Sequence, residues 1–277
     1  MVRSIPLKTF VMCLSKVAHA IEKGILDENI KYLEIQKDCA IAARLCSDDG
    51  TAKVNTFDMA VYSAVISLYA AGMDTFSISE ICRALCLDPK MVKVGEKMRS
   101  HVLDSVEKLQ QTYLWLETSR QAKSRATVGV KYDGKMLELE ALTARTDNGK
   151  ECLHFRLRSE PLLYRYSKDC KQVYLIPMKK VSMLDKFSNT ILSVVVRHAL
   201  LRRIVIILRN PKNPNIKYSE LAKECGFAWD TKDEKMILRS CVRKVLLGWV
   251  KTGLIGGFHE YRDQRTIIGV TIERFSE

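Results

Sequence analysis

A pattern that repeats at a fixed offset constrains the fold of this chain more than any other feature. The segment Ser79–Arg83 resembles Ser219–Lys223, which sets the offset at 219 − 79 = 140. The same offset superimposes further, mostly apolar positions without a gap: Val61, Val65, Ile66 and Leu68 on Leu201, Val205, Ile206 and Leu208; Met98, Val102 and Val106 on Leu238, Val242 and Leu246; Leu109, Thr112 and Leu114 on Trp249, Thr252 and Leu254. The chain is therefore predicted to contain two copies of one structural unit.

The first copy begins with the spacing of an amphipathic helix between Val61 and Tyr69. Ser77-x-x-Glu80 has the form of a capping box and predicts the start of a second helix. A third helix is expected from about Lys90 to Gln111, followed by a strand at Tyr113–Glu117. The dipeptide Asp133-Gly134 then predicts the turn of a hairpin, because this pair is common in two-residue β-turns.

The second copy repeats this order. Helices are predicted at Thr190–Arg209, Tyr218–Cys225 and Lys232–Lys251, the last of them opened by the capping box Thr231-x-x-Glu234. Gly256–Phe275 reads as a two-stranded hairpin with its tip near Arg262–Arg265. This is the order of a winged helix, which is a helix-turn-helix with an added β-wing: helix, short strand, helix, helix and hairpin.

The predicted fold class is therefore α+β and mostly helical, a tandem repeat of two winged-helix domains. We expect an N-terminal extension at 1–53 and a first winged-helix domain with an extended β-rich wing at 54–183. The second domain, 186–277, is expected to be the principal DNA-binding unit. We call residues 54–183 the first unit and residues 186–277 the second unit.

Charge is concentrated in the second unit. The whole chain carries a net charge of +13. The second unit has 17 Lys and Arg against 9 Asp and Glu, or +8, which leaves 28 against 23, or +5, for the rest of the chain. A surplus of this size predicts an anionic partner, and the winged-helix order makes double-stranded DNA the expected one.

The third helix of the second unit has two sides when its residues are placed at 100° intervals. The side expected to face the core carries Ile237, Leu238, Cys241, Val242, Val245 and Trp249. The opposite side is basic and hydroxylic, as expected of a helix that enters a major groove, where Arg can bind guanine O6 and N7. The predicted DNA-binding residues, including the hairpin tip, are Lys235, Arg239, Ser240, Arg243, Lys244, Arg262 and Arg265.

Two alternatives stay open at this point. Arg262 and Arg265 either contact phosphate or the minor groove, or belong to a polar hairpin tip that is simply solvated. The basic residues Arg120, Lys123 and Arg125 that follow the first unit's third helix either make a second DNA contact or lie on the ordinary surface of a unit that forms a homodimer.

Several function classes are disfavoured by what the sequence lacks. The most apolar stretch, Ile191–Leu208, is interrupted by Arg197 and further charges, so no membrane span is expected. Nine cysteines without a CxxC pair indicate reduced thiols and a cytoplasmic location. Cys82 and Cys86 are interpreted as buried apolar thiols rather than metal ligands. No P-loop, GxGxxG, GxSxG or HExxH motif occurs, so we expect neither catalysis, nor a metal, nor a cofactor.

The residues Phe57–Gly72 and Ile81–Leu85 together resemble segments of the replication-initiator proteins of bacterial plasmids and integrative elements. Glu160–Tyr164 and Leu200–Ile204 resemble further segments of that family, and the similarity spans about Val54 to Phe275. The resemblance implies a tandem winged-helix initiator whose second unit dominates recognition of origin repeats. It also implies that the first unit contributes to dimerisation or to an additional DNA contact, and that host replication proteins are partners.

The first functional hypothesis is a sequence-specific initiator that binds repeats at an origin and recruits the host replisome. The second is a winged-helix transcriptional regulator, which would need the same recognition helix but would bind a promoter palindrome. A metal-dependent nuclease in the β-rich middle is a third class, whose acidic candidates Asp133, Glu138 and Glu140 are better interpreted as hairpin residues. A fourth is an adaptor that binds no DNA.

Overall fold

The computed structural model describes residues 7–47, 53–91, 93–124, 128–145, 151–182, 189–210 and 212–274. Helices make up 45% and strands 28%, so the predicted mixture of helix and strand is confirmed. The part that the structure describes contains ten helices and twelve strands.

The elements that precede the second unit are a mixture of helices and strands. In chain order they are β1 (Thr9–Cys13), α1 (Lys16–Glu22), β2 (Lys31–Gln36), β3 (Cys39–Ser47), α2 (Thr56–Ala70), β4 (Thr75–Ser77), α3 (Ile78–Leu85), α4 (Glu96–Gln111), β5 (Thr112–Glu117), α5 (Ser119–Ser124), β6 (Lys131–Lys135), β7 (Leu139–Arg145), β8 (Glu151–Leu157), α6 (Leu162–Asp169), β9 (Val173–Pro177) and α7 (Met178–Val181). The remaining elements are α8 (Ile191–Arg209), β10 (Asn215–Lys217), α9 (Tyr218–Glu224), α10 (Lys232–Lys251), β11 (Gly257–Asp263) and β12 (Thr266–Glu273).

Two three-stranded sheets show the repeat in their topology. One has the strand order β4-β8-β7 and the other β10-β12-β11, and all of their pairs are antiparallel. In each sheet a short strand pairs with the second strand of a hairpin. The short strands Thr75–Ser77 and Asn215–Lys217 are related by 215 − 75 = 140, which is the offset found in the sequence. The two copies thus share an order of elements as well as a pattern of residues.

The hairpin predicted around Asp133-Gly134 is wrong. Gly134 lies inside β6 and pairs with Leu114 of β5, while β7 belongs to a different sheet and pairs with β8. A Cβ at position 134 would lie 3.3 Å from Leu162, so this glycine allows α6 to pack closely on β6 instead of making a turn. The first unit's hairpin is β7–β8, and its connection, 146–150, lies outside the described residues.

Capping explains why the third helices of the two copies differ in length. The helix predicted at Lys90–Gln111 begins only at Glu96, after a Gly95 N-cap that offers no side-chain hydrogen bond. The predicted helix Lys232–Lys251 is confirmed, because the Thr231 hydroxyl accepts from the Glu234 amide and the Glu234 carboxylate accepts from the Thr231 amide. Subtraction of 140 from Thr231 gives Met91, which cannot form such a cap.

Residues 7–47 share sheets and core with the first unit. β1 pairs with β9, and β2 and β3 extend β5 and β6 into the four-stranded sheet β2-β3-β5-β6. Phe10, Ile21 and Ile41 are fully buried within the same hydrophobic cluster as the two units. The predicted domain boundaries stay predictions, and residues 183–188, where the first unit ends and the second begins, lie outside the described part.

Buried polar contacts join the two units. Arg197 and His198 of α8 are 1% and 3% exposed, and they donate hydrogen bonds to the carbonyl oxygens of Cys86 and Leu85 at 2.6 and 2.7 Å. These carbonyls belong to the C-terminal end of α3, where the helix has no amide partners of its own. Trp249 of α10 is fully buried and donates to the Val181 carbonyl at 3.1 Å. The second unit is therefore anchored to the first through two of its helices, α8 and α10.

His198 makes the stability of this junction depend on pH. Burial, the largest cause, lowers the pKa of His198 to about 4, whereas an unfolded histidine titrates near about 6.5. Between these values the unfolded chain binds more protons than the folded chain, so stability is fully present above pH ~6.5 and is lost as the pH falls towards 4. One such group contributes a slope of up to about 1.4 kcal/mol per pH unit.

We expect His198→Gln to reduce this slope, because glutamine keeps an N–H donor for Leu85 but does not titrate. The measurement is the free energy of unfolding by urea at several pH values from 4.5 to 7.5. His19, whose pKa burial and Arg202 also lower to about 4, is unchanged in the variant, so the difference in slope isolates His198. Equal slopes in the two proteins would contradict this account.

Gly269 of β12 is required by a close approach within the second unit's sheet. A Cβ there would overlap the carbonyl oxygen of Ile216 and lie 2.6 Å from the Tyr261 hydroxyl oxygen. We expect Gly269→Ala to lower the free energy of unfolding by about 1–3 kcal/mol, as overpacking typically does. The matched control is Gly257→Ala in the neighbouring strand, where the atoms that would overlap the new methyl belong to the movable carboxylate end of Glu273 rather than to backbone. Equal losses in both variants, measured by denaturant unfolding, would exclude the steric explanation.

Candidate nucleic-acid interface

The helix α10 presents a polar side to solvent because its other side is held in the core. Leu238, Val242, Val245, Leu246 and Trp249 are fully buried. The exposed side carries Ser240, Arg243 and Lys244, as predicted from the helical spacing. It also carries exposed apolar residues: Met236 at 59%, Ile237 at 51% and Leu247 at 47%.

The placement of Ile237 on the core side was wrong. Ile237 is three residues before Ser240 and seven before Lys244, so it lies on the same exposed stripe of the helix as these two. Met236 and Ile237, in the first turns of α10, are therefore each more than half exposed. The exposed side of α10 is therefore basic at its centre and has exposed apolar residues both before it, at Met236 and Ile237, and after it, at Leu247.

The hairpin β11–β12 stands beside the N-terminal half of α10. Its tip is the pair Gln264–Arg265, and Gln264 has a φ of 53°, as a tight two-residue turn requires. Arg262 and Arg265 are both exposed. A register shift between Tyr261 and Arg262 marks a β-bulge just before the tip, a device that changes the direction of side chains.

A cleft of about 610 Å³ lies between α10 and this hairpin. Five of its lining residues are basic: Lys232, Lys235, Arg239, Arg262 and Arg265. None of the described residues that line it is a carboxylate. We call it the basic cleft. The structure thus brings together four of the seven predicted residues and adds Lys232, while Ser240, Arg243 and Lys244 lie on α10 outside the lining of the cleft.

Arg239 is not a free cation in this cleft. Its Nε lies 3.3 Å and its Nη2 lies 3.2 and 3.1 Å from the carboxylate oxygens of Glu260 on β11. The Tyr218 hydroxyl donates to the same carboxylate at 2.8 Å. Burial alone would raise the pKa of Glu260, but the hydrogen bonds from Arg239 and Tyr218, with the charges of Arg239 and Arg243, hold that pKa below its ordinary value. Glu260 therefore carries a negative charge at neutral pH.

Sequence reasoning missed Glu260, Trp229 and Lys232. The signal for Glu260 was the alternation of β11, in which Glu260 shares a face with the partly buried Phe258 and must point towards α10. The Trp229 ring stacks on Tyr218 at 5.8 Å, and the Lys235 ammonium lies 6.0 Å from the centre of the Trp229 ring. Nothing in the local spacing predicts that pair, because Trp229 lies in a loop.

Among the described residues, the first unit does not repeat the two basic positions at the centre of the exposed side of α10. Where α10 has Arg243 and Lys244, the offset of 140 places Leu103 and Asp104 on α4. Lys108 of α4 is 3.0 Å from the buried carboxylate of Asp58, so its charge is neutralised within the unit.

The predicted secondary residues lie away from the basic cleft. Arg120 and Lys123 are on α5, which packs on β3, and neither lines that cleft. The guanidinium of Arg120 lies over the Tyr32 ring at 4.3 Å, and Arg125 lies outside the described residues.

The cysteines and the longest helices carry no sign of other chemistry in the described part. Cys82 and Cys86 are fully buried, and burial raises the pKa of each thiol, to about 12 and about 11. No group of three or more His, Cys, Asp or Glu is placed to hold a metal ion among the described residues. Within the same residues, every helix is too short or too polar to cross a lipid bilayer.

No protein-family model and no curated protein matches this sequence. Among solved structures, the chain is similar to domains 2 and 3 of RctB at 13% identity. That similarity covers 90% of this chain and 91% of the other, with a TM-score of 0.49. A second structure of RctB domains 2 and 3, of residues 155–483, gives 12% identity, 88% and 91% coverage and a TM-score of 0.48. At these values the likeness assigns no function to this chain.

Proposed function

We propose that this chain binds double-stranded DNA through α10 and the hairpin β11–β12. The basic cleft is the observation that carries the proposal, since five cations from a helix and a hairpin line one surface and no carboxylate does so among the described residues. Phosphate oxygens are the ligands that such a surface suits, because Lys and Arg supply charge and several donors.

The exposed side of α10 has the dimensions and chemistry for the major groove. A 20-residue helix is about 30 Å long, and the groove, about 12 Å wide, admits one helix. In this arrangement Ser240, Arg243 and Lys244 meet base edges or the flanking phosphates. Met236 and Ile237 are suited to apolar contact with thymine methyl groups. Arg262 and Arg265 at the hairpin tip then reach phosphate or the minor groove.

We further propose that both units are winged helices. In the second unit, α8, β10, α9, α10 and the β11–β12 hairpin follow one another in the order of that fold. The matching strand orders β4-β8-β7 and β10-β12-β11 support the same fold for the first unit. In this proposal the four-stranded sheet β2-β3-β5-β6 is an addition to the first winged helix.

The biological role we propose is that of a replication initiator of a bacterial plasmid or integrative element. The resemblance of Phe57–Gly72 and Ile81–Leu85 to such initiators supports this role. The protein would bind origin repeats, bend or open the adjacent duplex, and recruit host replication proteins in the cytoplasm, without catalysis or a cofactor. Bending a site of 20–30 base pairs costs about 1–6 kcal/mol, which several bound copies together can supply.

Salt dependence tests the phosphate contacts. The cations of α10 and the hairpin that we assign to phosphate contacts are all exposed or half-exposed: Lys232, Lys235, Arg243, Lys244, Arg262 and Arg265. If all six meet phosphate, the logarithm of the association constant falls with the logarithm of salt concentration with a slope of about −5. We expect Arg262→Ala with Arg265→Ala to reduce this slope by about 2 and to weaken binding to every duplex by a similar factor.

The measurement is fluorescence anisotropy of a labelled duplex between 50 and 300 mM salt. The matched control is Lys8→Ala with Lys37→Ala, which removes two exposed lysines at the N-terminal strands and should leave the slope unchanged. Binding that is absent, or that does not respond to salt, would exclude the proposed interface. A slope that changes equally in both double variants would assign the effect to net charge alone.

A nuclease footprint on DNA that flanks the gene separates the initiator from the transcriptional regulator. Regularly spaced protected repeats with hypersensitive positions between them are expected of an initiator on an origin. One palindromic footprint over a promoter would instead identify a regulator. In cells, Arg239→Ala with Arg243→Ala should abolish replication of a plasmid that depends on this protein, and an unchanged copy number would overturn the initiator role.

A further inference from the structure

The ion pair between Arg239 and Glu260 uses one particular edge of the guanidinium. Glu260 accepts hydrogen bonds from Nε and Nη2, so the pair is side-on and Nη1 lies outside it. A guanidinium has five N–H groups in a fixed planar fork. After this pairing, one hydrogen on Nη2 and one on Nη1 remain parallel to each other at the end of the side chain.

The ion pair is held by its surroundings from two sides. Glu260 accepts a third hydrogen bond from Tyr218, whose side chain is fully buried and stacks on Trp229. The side chains of Arg239 and Glu260 are 34% and 20% exposed, so both are partly shielded from water. Arg239 nevertheless lines the basic cleft. A long, flexible side chain is therefore fixed in place at the edge of the surface proposed to meet DNA.

We propose that Glu260 is a positioning residue, which holds Arg239 so that the free Nη1–Nη2 edge reads one guanine in the major groove. This inference rests on the proposed DNA-binding function and names the base that the site prefers. Guanine presents two acceptors, O6 and N7, to which a guanidinium end donates in a bidentate manner. Adenine offers a donor in place of O6, so it accepts only one of the two hydrogen bonds.

A carboxylate beside the DNA weakens binding electrostatically, and only its effect on the orientation of Arg239 offsets this loss. Glu260 repels phosphate and cancels the charge of Arg239, so it lowers affinity for any duplex. In return, Arg239 reaches the base already ordered and loses little side-chain entropy on binding. Glu260 therefore lowers the affinity for DNA in general and raises the selectivity for one base at one position.

The experiment uses the full chain and a library of random duplexes, from which bound sequences are selected and counted. We expect the wild type to require guanine at one position of its site, with a discrimination of about 10- to 100-fold over the other bases. Glu260→Gln is expected to bind random duplexes more tightly and to lose most of that discrimination. Arg239→Lys is expected to keep the salt slope of the wild type and to lose the same preference. In a protein that already carries Arg239→Lys, the addition of Glu260→Gln should cause no further change in base preference.

The matched control is Glu273→Gln, which removes one negative charge from the same hairpin but from a side chain paired with His259. It should raise general affinity slightly and leave the guanine preference intact.

A second experiment replaces the selected guanine by 7-deazaguanine, which lacks the N7 acceptor. This replacement should weaken DNA binding by the wild type about 10-fold and leave binding by Glu260→Gln and Arg239→Lys nearly unaffected. Thermal melting of each variant establishes that it is folded.

Three results would overturn the positioning role. The first is that Glu260→Gln keeps the guanine preference unchanged. The second is that 7-deazaguanine at any position leaves binding by the wild type unchanged. The third is that the wild type binds DNA with a steep salt dependence but selects no sequence from the library. Tighter binding with unchanged selectivity would identify Glu260 as a simple attenuator of affinity. Absence of any salt-dependent binding by the wild type would instead remove the proposed function itself.

Discussion

Two side chains of one helix fix how the halves of this protein meet. Arg197 and His198 are buried, and they donate hydrogen bonds to the last carbonyls of α3 at 2.6 and 2.7 Å. Burial of a guanidinium is costly unless its donors are satisfied, and burial lowers the pKa of Arg197 accordingly. The C-terminal end of a helix is a favourable place for such a cation, because its carbonyls are unpaired and its dipole is negative there. Together with the contact of Trp249 on Val181, this junction holds the second unit against the first.

A second set of charged groups determines the electrostatics of the basic cleft on the surface of the second unit. The basic cleft concentrates cations that repel one another, and Glu260 neutralises one of them, Arg239, whose side chain is 34% exposed. The remaining cations stay near solvent, where like charges are screened. The unit thus keeps a strongly positive surface while the partly buried guanidinium of Arg239 is paired. The same carboxylate that stabilises the folded protein also limits how Arg239 can be used.

The sequence predicted the elements of the second unit well, because their signals are local. Capping residues set the start of α10, and helical spacing placed Ser240, Arg243 and Lys244 on its exposed side. Contacts between distant segments could not be predicted in this way. Asp133-Gly134 has the local chemistry of a turn, but the packing of Leu162 on Gly134 decides that it lies within a strand. The partner of Arg239 is 21 residues away on another element, so no periodicity of α10 points to it.

The two copies show what a repeated unit can keep and what it can change. Both keep the strand order, the short strand at the same offset and a buried core side on the third helix. They differ at positions that are solvent-exposed in the second copy, where Arg243 and Lys244 correspond to Leu103 and Asp104 in the first. Substitutions on an exposed helix face cost little stability, so this face can change without loss of the fold. Core residues cannot change as freely, because their volumes are matched to their neighbours. The architecture therefore provides the same scaffold twice, whereas the charge and geometry suited to a duplex are concentrated in the second copy.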